Sequence, residues 1–262
     1  MPGVTGAAVC VGVDVASRPG GTAACWVRWD GGGATITRVE HRMDDGGLAG
    51  LLAEPVARIG LDVPLGWPDE FVAAVAEHPE GRPFGTAGMD RLTRRETDRW
   101  VHDHPEIRQL PLSVSTDRIA YPAMRMARIL GEVVGEPIDR SGAGKFVEVY
   151  PAAALRVWGL RYRGYKRGAD RQVLLDVAAA LRRRCPWLAA PETTWDEVIR
   201  SDHAFDALVC ALVARARHLD LCHPIPHHLR KAAAREGWIA VPTVGSLDSL
   251  LGGASGREQP RT

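Results

Sequence analysis

Apolar and polar positions alternate along this chain in stretches whose length and spacing separate strands from helices. Ala7–Ala16 is a short run of Val, Ala, Cys and Gly that reads as a buried strand. Thr22–Trp29 and Ala34–Glu40 read as two more. Gly20-Gly21 turns the chain before the first of these, and Asp30-Gly-Gly-Gly33 is the hairpin turn between them. Gly47–Arg58 carries Leu48, Leu51, Leu52 and Val56 at helical spacing, and Ile59–Val63 is a short strand stopped by Pro64. This opening predicts an antiparallel meander, then a helical crossover that returns the fourth strand parallel to the first.

The stretch from about 68 to 144 reads as helices and loops: Phe71–Glu77, Asp90–Asp103, and Asp117–Leu130 with Thr116 as its cap, then a linker over Val133–Gly144. Lys145–Tyr150 is the next strand, and Pro151 suits the first turn of a helix over Ala152–Trp158. Asp170–Arg184 is amphipathic and Trp195–Ile199 is a short helix. Phe205–His218 is apolar nearly all round and predicts a buried helix. Gly237–Val241 reads as a last extended piece. No internal repeat or composition break divides the chain. The expectation is one α/β domain over residues 1–251, with a helical insertion at about 68–144 and a flexible tail at 252–262.

Composition narrows the class. The 262 residues are 45% hydrophobic and 25% charged, which suits a folded soluble protein. The longest apolar run, Ala207–Ala214, falls well short of the roughly 20 residues a membrane helix needs, so no membrane partner is expected. No basic residue precedes Arg18, which argues against a secretory signal. Five scattered cysteines without a CxxC pattern fit a reduced cytoplasm. Net charge is only +1, yet basic character is carried by Arg, with three lysines in all. The guanidinium fork suits polyanions, although a genome-wide preference for Arg accounts for the excess equally well.

The informative feature is where carboxylates interrupt apolar segments: Asp14 in VGVDVAS, Asp62 in IGLDVPLG, Glu148 in KFVEVYP, and Asp206 in DHAFDALVCALVA. A buried carboxylate needs a partner. Hard oxygen ligands suit Mg²⁺ or Mn²⁺, and two such ions about 4 Å apart activate water and stabilise a leaving oxygen. Each acid taken singly has a plainer reading as a turn former, a cap or the partner of an arginine. His203 lies three residues before Asp206 and shares its helix face, and Asp202 is an alternative cap.

The ordered series GVDVAS, IGLDVPLGWP, RRETD, EVYPAAALRVWG, Lys166 with Arg171 and Leu174, DHAFDALVCALVA and EGWIAVP resembles a family of predicted ribonuclease-H-like nucleases, domain of unknown function 429. The likeness runs from about Val11 to Pro242. It implies a ribonuclease-H-like fold: a five-stranded mixed sheet, its first three strands antiparallel, flanked by helices. It also implies catalytic, metal-binding acids on the first strand, at the end of the fourth and on the last helix, which are Asp14, Asp62 and Asp206 here. The last helix is similar to that of RuvC-type resolvases, whose metal set is joined by the residue three places earlier, here His203. Those resolvases carry Glu on the fourth strand, where this chain has the shorter Asp62. Within EVYP, Glu148 is expected to be a fourth ligand or an orienting group. Arg95 and Asp98 of RRETD share a helix face at i, i+3 and could simply pair with each other; the resemblance implies instead that they project into the cleft and, with Lys166 and Arg171, bind substrate.

From Arg156 to Arg184 nine basic residues face two acids, with Trp158, Tyr162 and Tyr165 interleaved. Charge for a backbone and rings for bases suit nucleic acid, and a solvated helix face over core aromatics is the plainer reading. Gly142-Ala-Gly-Lys145 lacks the first Gly and the Ser or Thr of a phosphate loop. Cys222, His223, His227 and His228 fit no zinc template. The leading expectation is a Mg²⁺- or Mn²⁺-dependent phosphodiester hydrolase acting on nucleic acid. The alternatives are a small-molecule nucleotide or phosphoryl-transfer enzyme of actin-like kinase type, and a non-catalytic scaffold retaining the fold.

Overall fold

A computed structural model describes residues 8–84, 88–166 and 170–252. The opening run of β-branched and small residues forms β1 (Ala8–Asp14), followed by β2 (Ala23–Trp29) and β3 (Ala34–His41). Helix α1 (Asp45–Ala53) is shorter than the periodicity predicts. The Asp44 side chain caps it by accepting from the Gly47 amide at 2.8 Å, and Pro55 prevents its extension to Arg58. Strand β4 (Arg58–Asp62) follows.

Among the described residues, four α-helices separate β4 from the next strand: α2 (Asp69–Glu77), α3 (Met89–Thr93), α4 (Glu96–Asp103) and α5 (Ala120–Val134). The single helix expected over Asp90–Asp103 is therefore two. The chain is extended at Arg94 and Arg95, and Asp98 closes the first turn of α4 by accepting from the Arg95 backbone amide at 2.9 Å. Thr116 does not cap α5, which starts later and runs into the expected linker; Asp117 accepts from the Ser113 amide instead.

Strand β5 (Phe146–Glu148) leads into α6 (Pro151–Val157), then α7 (Arg171–Arg184), β6 (Leu188–Ala189), α8 (Glu192–Val198), α9 (Asp202–His218) and α10 (Arg230–Glu236). The expected tail lies, beyond Gly252, outside the described residues.

The fold is mixed α/β. Six strands lie in the order β5-β4-β1-β2-β3-β6. β1–β2–β3 pair antiparallel, whereas β4 is parallel to β1, β5 to β4 and β6 to β3. The sheet thus has one strand more than the expected five. Leu188–Ala189 adds only two residues to the β3 edge, too few for a sequence pattern to register.

Alternation sorts β1 between two cores. Val11 and Val13 pack with Leu48, Leu51 and Leu52 of α1 and with Met126 and Ile129 of α5. Cys10 faces the other side, beneath α9. That helix is buried at every position from Ala204 to Ala216, as its all-round apolar surface predicts. It sits unusually close to the sheet. A Cβ on Gly12 would lie 1.9 Å from the Ala207 carbonyl oxygen, and one on Gly60 would lie 2.4 Å from that of Cys210.

Candidate metal centre

Parallel pairing of β1 and β4 makes Asp14 and Asp62 register partners at the C-terminal ends of their strands. Ser201 accepts from the Ala204 amide and fixes the start of α9, and the close seat over Gly12 and Gly60 brings Asp206 to the same place. Asp14, Asp62 and Asp206 each offer a carboxylate oxygen within 4.8 Å of the others.

The surroundings of these acids are uneven. His203 Nδ1 stands 3.0 Å from Asp14 Oδ2, and an acceptor there puts the ring proton on Nδ1. Tyr165 donates its hydroxyl to Asp206 Oδ1 at 2.8 Å. Lys166 places its ammonium against Asp206 Oδ2 and 3.7 Å from Asp62 Oδ2. Asp206 is fully buried, and its Oδ2 faces the Lys166 ammonium. Three carboxylates therefore converge around one ammonium.

Their titration reflects that imbalance. Burial raises the Asp62 pKa well above the carboxylate range; Asp14, Asp206 and Glu148 add to the rise and Lys166 opposes it. Burial likewise pushes Asp206 up to about 6, with Lys166 and Tyr165 opposing and Asp14 assisting. Burial disfavours the Lys166 charge, but Asp206 and Asp62 outweigh it and raise its pKa well above the ordinary value. The hydrogen bond to Asp14 raises His203.

Three converging carboxylates with one ammonium among them are under-neutralised, and such an oxygen-rich set fits a hard divalent cation. The residues present therefore satisfy the donor chemistry of such a site.

Glu148 is placed differently. Its carboxylate accepts two bonds from Arg95, at 2.7 and 2.9 Å, and one from the Leu65 amide at 3.0 Å. Arg95 also grips Asp98, at 2.9 and 3.2 Å. All three residues are buried. Arg95 and Asp98 are thus turned inward onto Glu148, and their polar groups are spent on one another instead of opening into a cleft. Gly237 seals this network at φ +95°, where a Cβ would lie 2.7 Å from Glu148 Oε2.

Arg171 lies on the first turn of α7 and donates to the Arg200 carbonyl at 3.4 Å. Trp158 and Tyr165 are buried in the core, so those rings are unavailable to bases; Arg167 lies outside the described residues. Lys145 donates to the carbonyls of Leu52 and Glu54, a structural use of the residue that ends the glycine-rich segment.

Two contributors escaped the sequence reading. Tyr165 is one of three rings interleaved with basic residues, and nothing local to it signals the bond to Asp206. Glu236 accepts from the amides of Asp69 and Glu96, the first residues of α2 and α4, at 3.0 and 2.8 Å. Nothing local to Glu236 signals that reach.

Fold and site together define a mixed α/β protein with a carboxylate centre at the ends of two parallel central strands. The description of a protein of unknown function, DUF429, matches residues 12–230, and the chain belongs to that family. No curated protein and no solved structure matches it.

Proposed function

We propose that this protein is a metal-dependent phosphodiester hydrolase of ribonuclease-H-like fold that acts on nucleic acid. The observation that carries the reading is the meeting of Asp14, Asp62 and Asp206 from β1, β4 and α9, the three places where ribonuclease-H-like enzymes keep their catalytic acids. The strand order β5-β4-β1-β2-β3, with β2 antiparallel to its neighbours, supports it.

In this reading Asp14, Asp62 and Asp206 hold Mg²⁺ or Mn²⁺. Such ions supply a water of lowered pKa and neutralise charge on a leaving oxygen. Asp14 orients His203 through Nδ1, which leaves Nε2 as the atom that takes a proton. Lys166, now shared between Asp206 and Asp62, is the cation nearest the acids and turns to a substrate phosphate. Glu148, with Arg95 and Asp98, stiffens the floor beneath Leu65 and positions β4.

The Lys166 bridge also favours a second reading, a scaffold in which the ammonium is the acids' permanent partner. Calorimetric titration with Mn²⁺ separates the two. It is paired with cleavage assays on labelled single-stranded RNA, duplex DNA, RNA–DNA hybrid and a branched junction. Mn²⁺ binding and cleavage that both vanish in Asp14→Asn support the hydrolase. Absence of binding and of cleavage on every substrate supports the scaffold.

A further inference from the structure

A second cluster of metal-binding side chains lies apart from the carboxylates. His104 follows the last residue of α4 and donates its amide to Trp100. Its carbonyl then accepts from the amides of Ile107 and Arg108, at 3.0 and 2.9 Å, which closes a tight turn carrying Glu106. Arg108 completes the turn at φ 42°, a conformation that a non-glycine residue adopts only where its surroundings hold it. His223 arrives from 119 residues further on, beside the Cys222–Pro242 bridge, and donates its amide to the Val241 carbonyl at 2.9 Å.

These two rigid pieces bring His104, His223 and Glu106 together, each with a ligand atom within 4.8 Å of the others. The imidazoles stand 4.5 Å apart, and Trp100 packs on both rings. His223 Nε2 lies 3.2 Å from Glu106 Oε2. His104 Nδ1 is buried without a hydrogen-bond partner, which a native structure rarely leaves unexplained.

We propose that His104, Glu106 and His223 bind a Zn²⁺-class transition ion, independently of the carboxylate centre. Two imidazoles and one carboxylate select such an ion over Mg²⁺, which prefers oxygen alone. Bonds of about 2.0–2.1 Å require ligand atoms roughly 3.4 Å apart, so small side-chain rotations close the set. Glu106 and His223 side chains are 40% and 21% exposed, which leaves an entry path and a fourth position for water. The ion pins the His104–Arg108 turn to the Cys222–Pro242 bridge. Gln109, the next residue in the chain, donates to the Tyr150 hydroxyl at 2.6 Å, so the turn also braces the start of α6.

The test is Zn²⁺ calorimetry on chelator-stripped full-length protein carrying Asp14→Asn and Asp62→Asn, which disable the carboxylate centre. One Zn²⁺ per chain, bound micromolar or tighter, is expected. Adding His223→Gln or Glu106→Gln should weaken it by more than about tenfold. Co²⁺ in place of Zn²⁺ should give visible ligand-field absorption that His104→Gln removes. Circular dichroism establishes that each variant is folded. No Zn²⁺ binding in the Asp14/Asp62 variant, or unchanged binding in folded His104→Gln and His223→Gln, overturns the proposal.

Discussion

Gly12 and Gly60 are register partners on adjacent parallel strands, and both lie directly beneath the backbone of α9. Two residues further along those strands stand Asp14 and Asp62, and one residue before Ala207, which Gly12 touches, stands Asp206. The missing side chains set the height of the helix, and that height sets the separation of the carboxylates.

Adding one methyl therefore acts on both fold and site. In Gly12→Ala the new Cβ meets backbone that no rotamer change can move. The expected loss is about 3 kcal/mol or more in urea unfolding, with weaker Mn²⁺ binding in whatever remains folded. Stability within about 0.5 kcal/mol of wild type would show that α9 shifts freely and that its seat does not define the site.

Removing a repelling charge should help the protein when no cation is present. Asp14→Asn is expected to melt in chelator at the wild-type temperature or above it, and to gain little when Mg²⁺ is added. Wild type should gain stability with Mg²⁺ by mass action on the folded state. A marked loss for Asp14→Asn in chelator would mean that its pairing with His203 is structural.

The raised carboxyl groups give stability a pH slope of known sign. A group whose pKa is higher folded than unfolded holds its proton more tightly in the folded state. Asp206 contributes most below its ordinary value of 3.8 and loses that contribution as pH climbs through about 6. Asp62 and His203 are shifted in the same direction. Urea midpoints measured in chelator should therefore fall from pH 4 to pH 7 more steeply in wild type than in Asp206→Asn, and saturating Mn²⁺ should flatten the difference. Identical slopes in the two proteins would remove Asp206 as the source.

Arg95→Met strands the carboxylates of Glu148 and Asp98 in the interior. The expected cost is about 3–5 kcal/mol in denaturant unfolding. A folded Arg95→Met protein of near-normal stability that has lost nucleic-acid affinity would instead return Arg95 to the substrate surface.

Much of this architecture is legible in the sequence because local signals carry it. The short apolar runs of β1 and β4, the hairpin glycines and the apolar girth of α9 announce their elements, and acids set in those runs stand out against their neighbours. What the sequence hides depends on distant partners. The i, i+3 spacing of Arg95 and Asp98 shows that they can pair, but nothing near them shows that Glu148, 53 positions beyond Arg95, joins them in the interior. β6 exists only because β3 offers it an edge. His104 and Glu106 carry no signal of metal chemistry until His223 arrives beside them.

Glu236 adds a consequence for how the chain acquires its shape. Its carboxylate holds the first amides of α2 and α4 across 167 and 140 positions. During synthesis from the N-terminus, α2 and α4 emerge long before the residue that caps them. They wait uncapped until α10 is made, and α9, which closes the acid site, is completed only shortly before. The order of translation thus makes the closing segment of the chain the lock for its middle. A nascent chain stopped before Glu236 should remain protease-sensitive over residues 69–103, and release of the full chain should protect them.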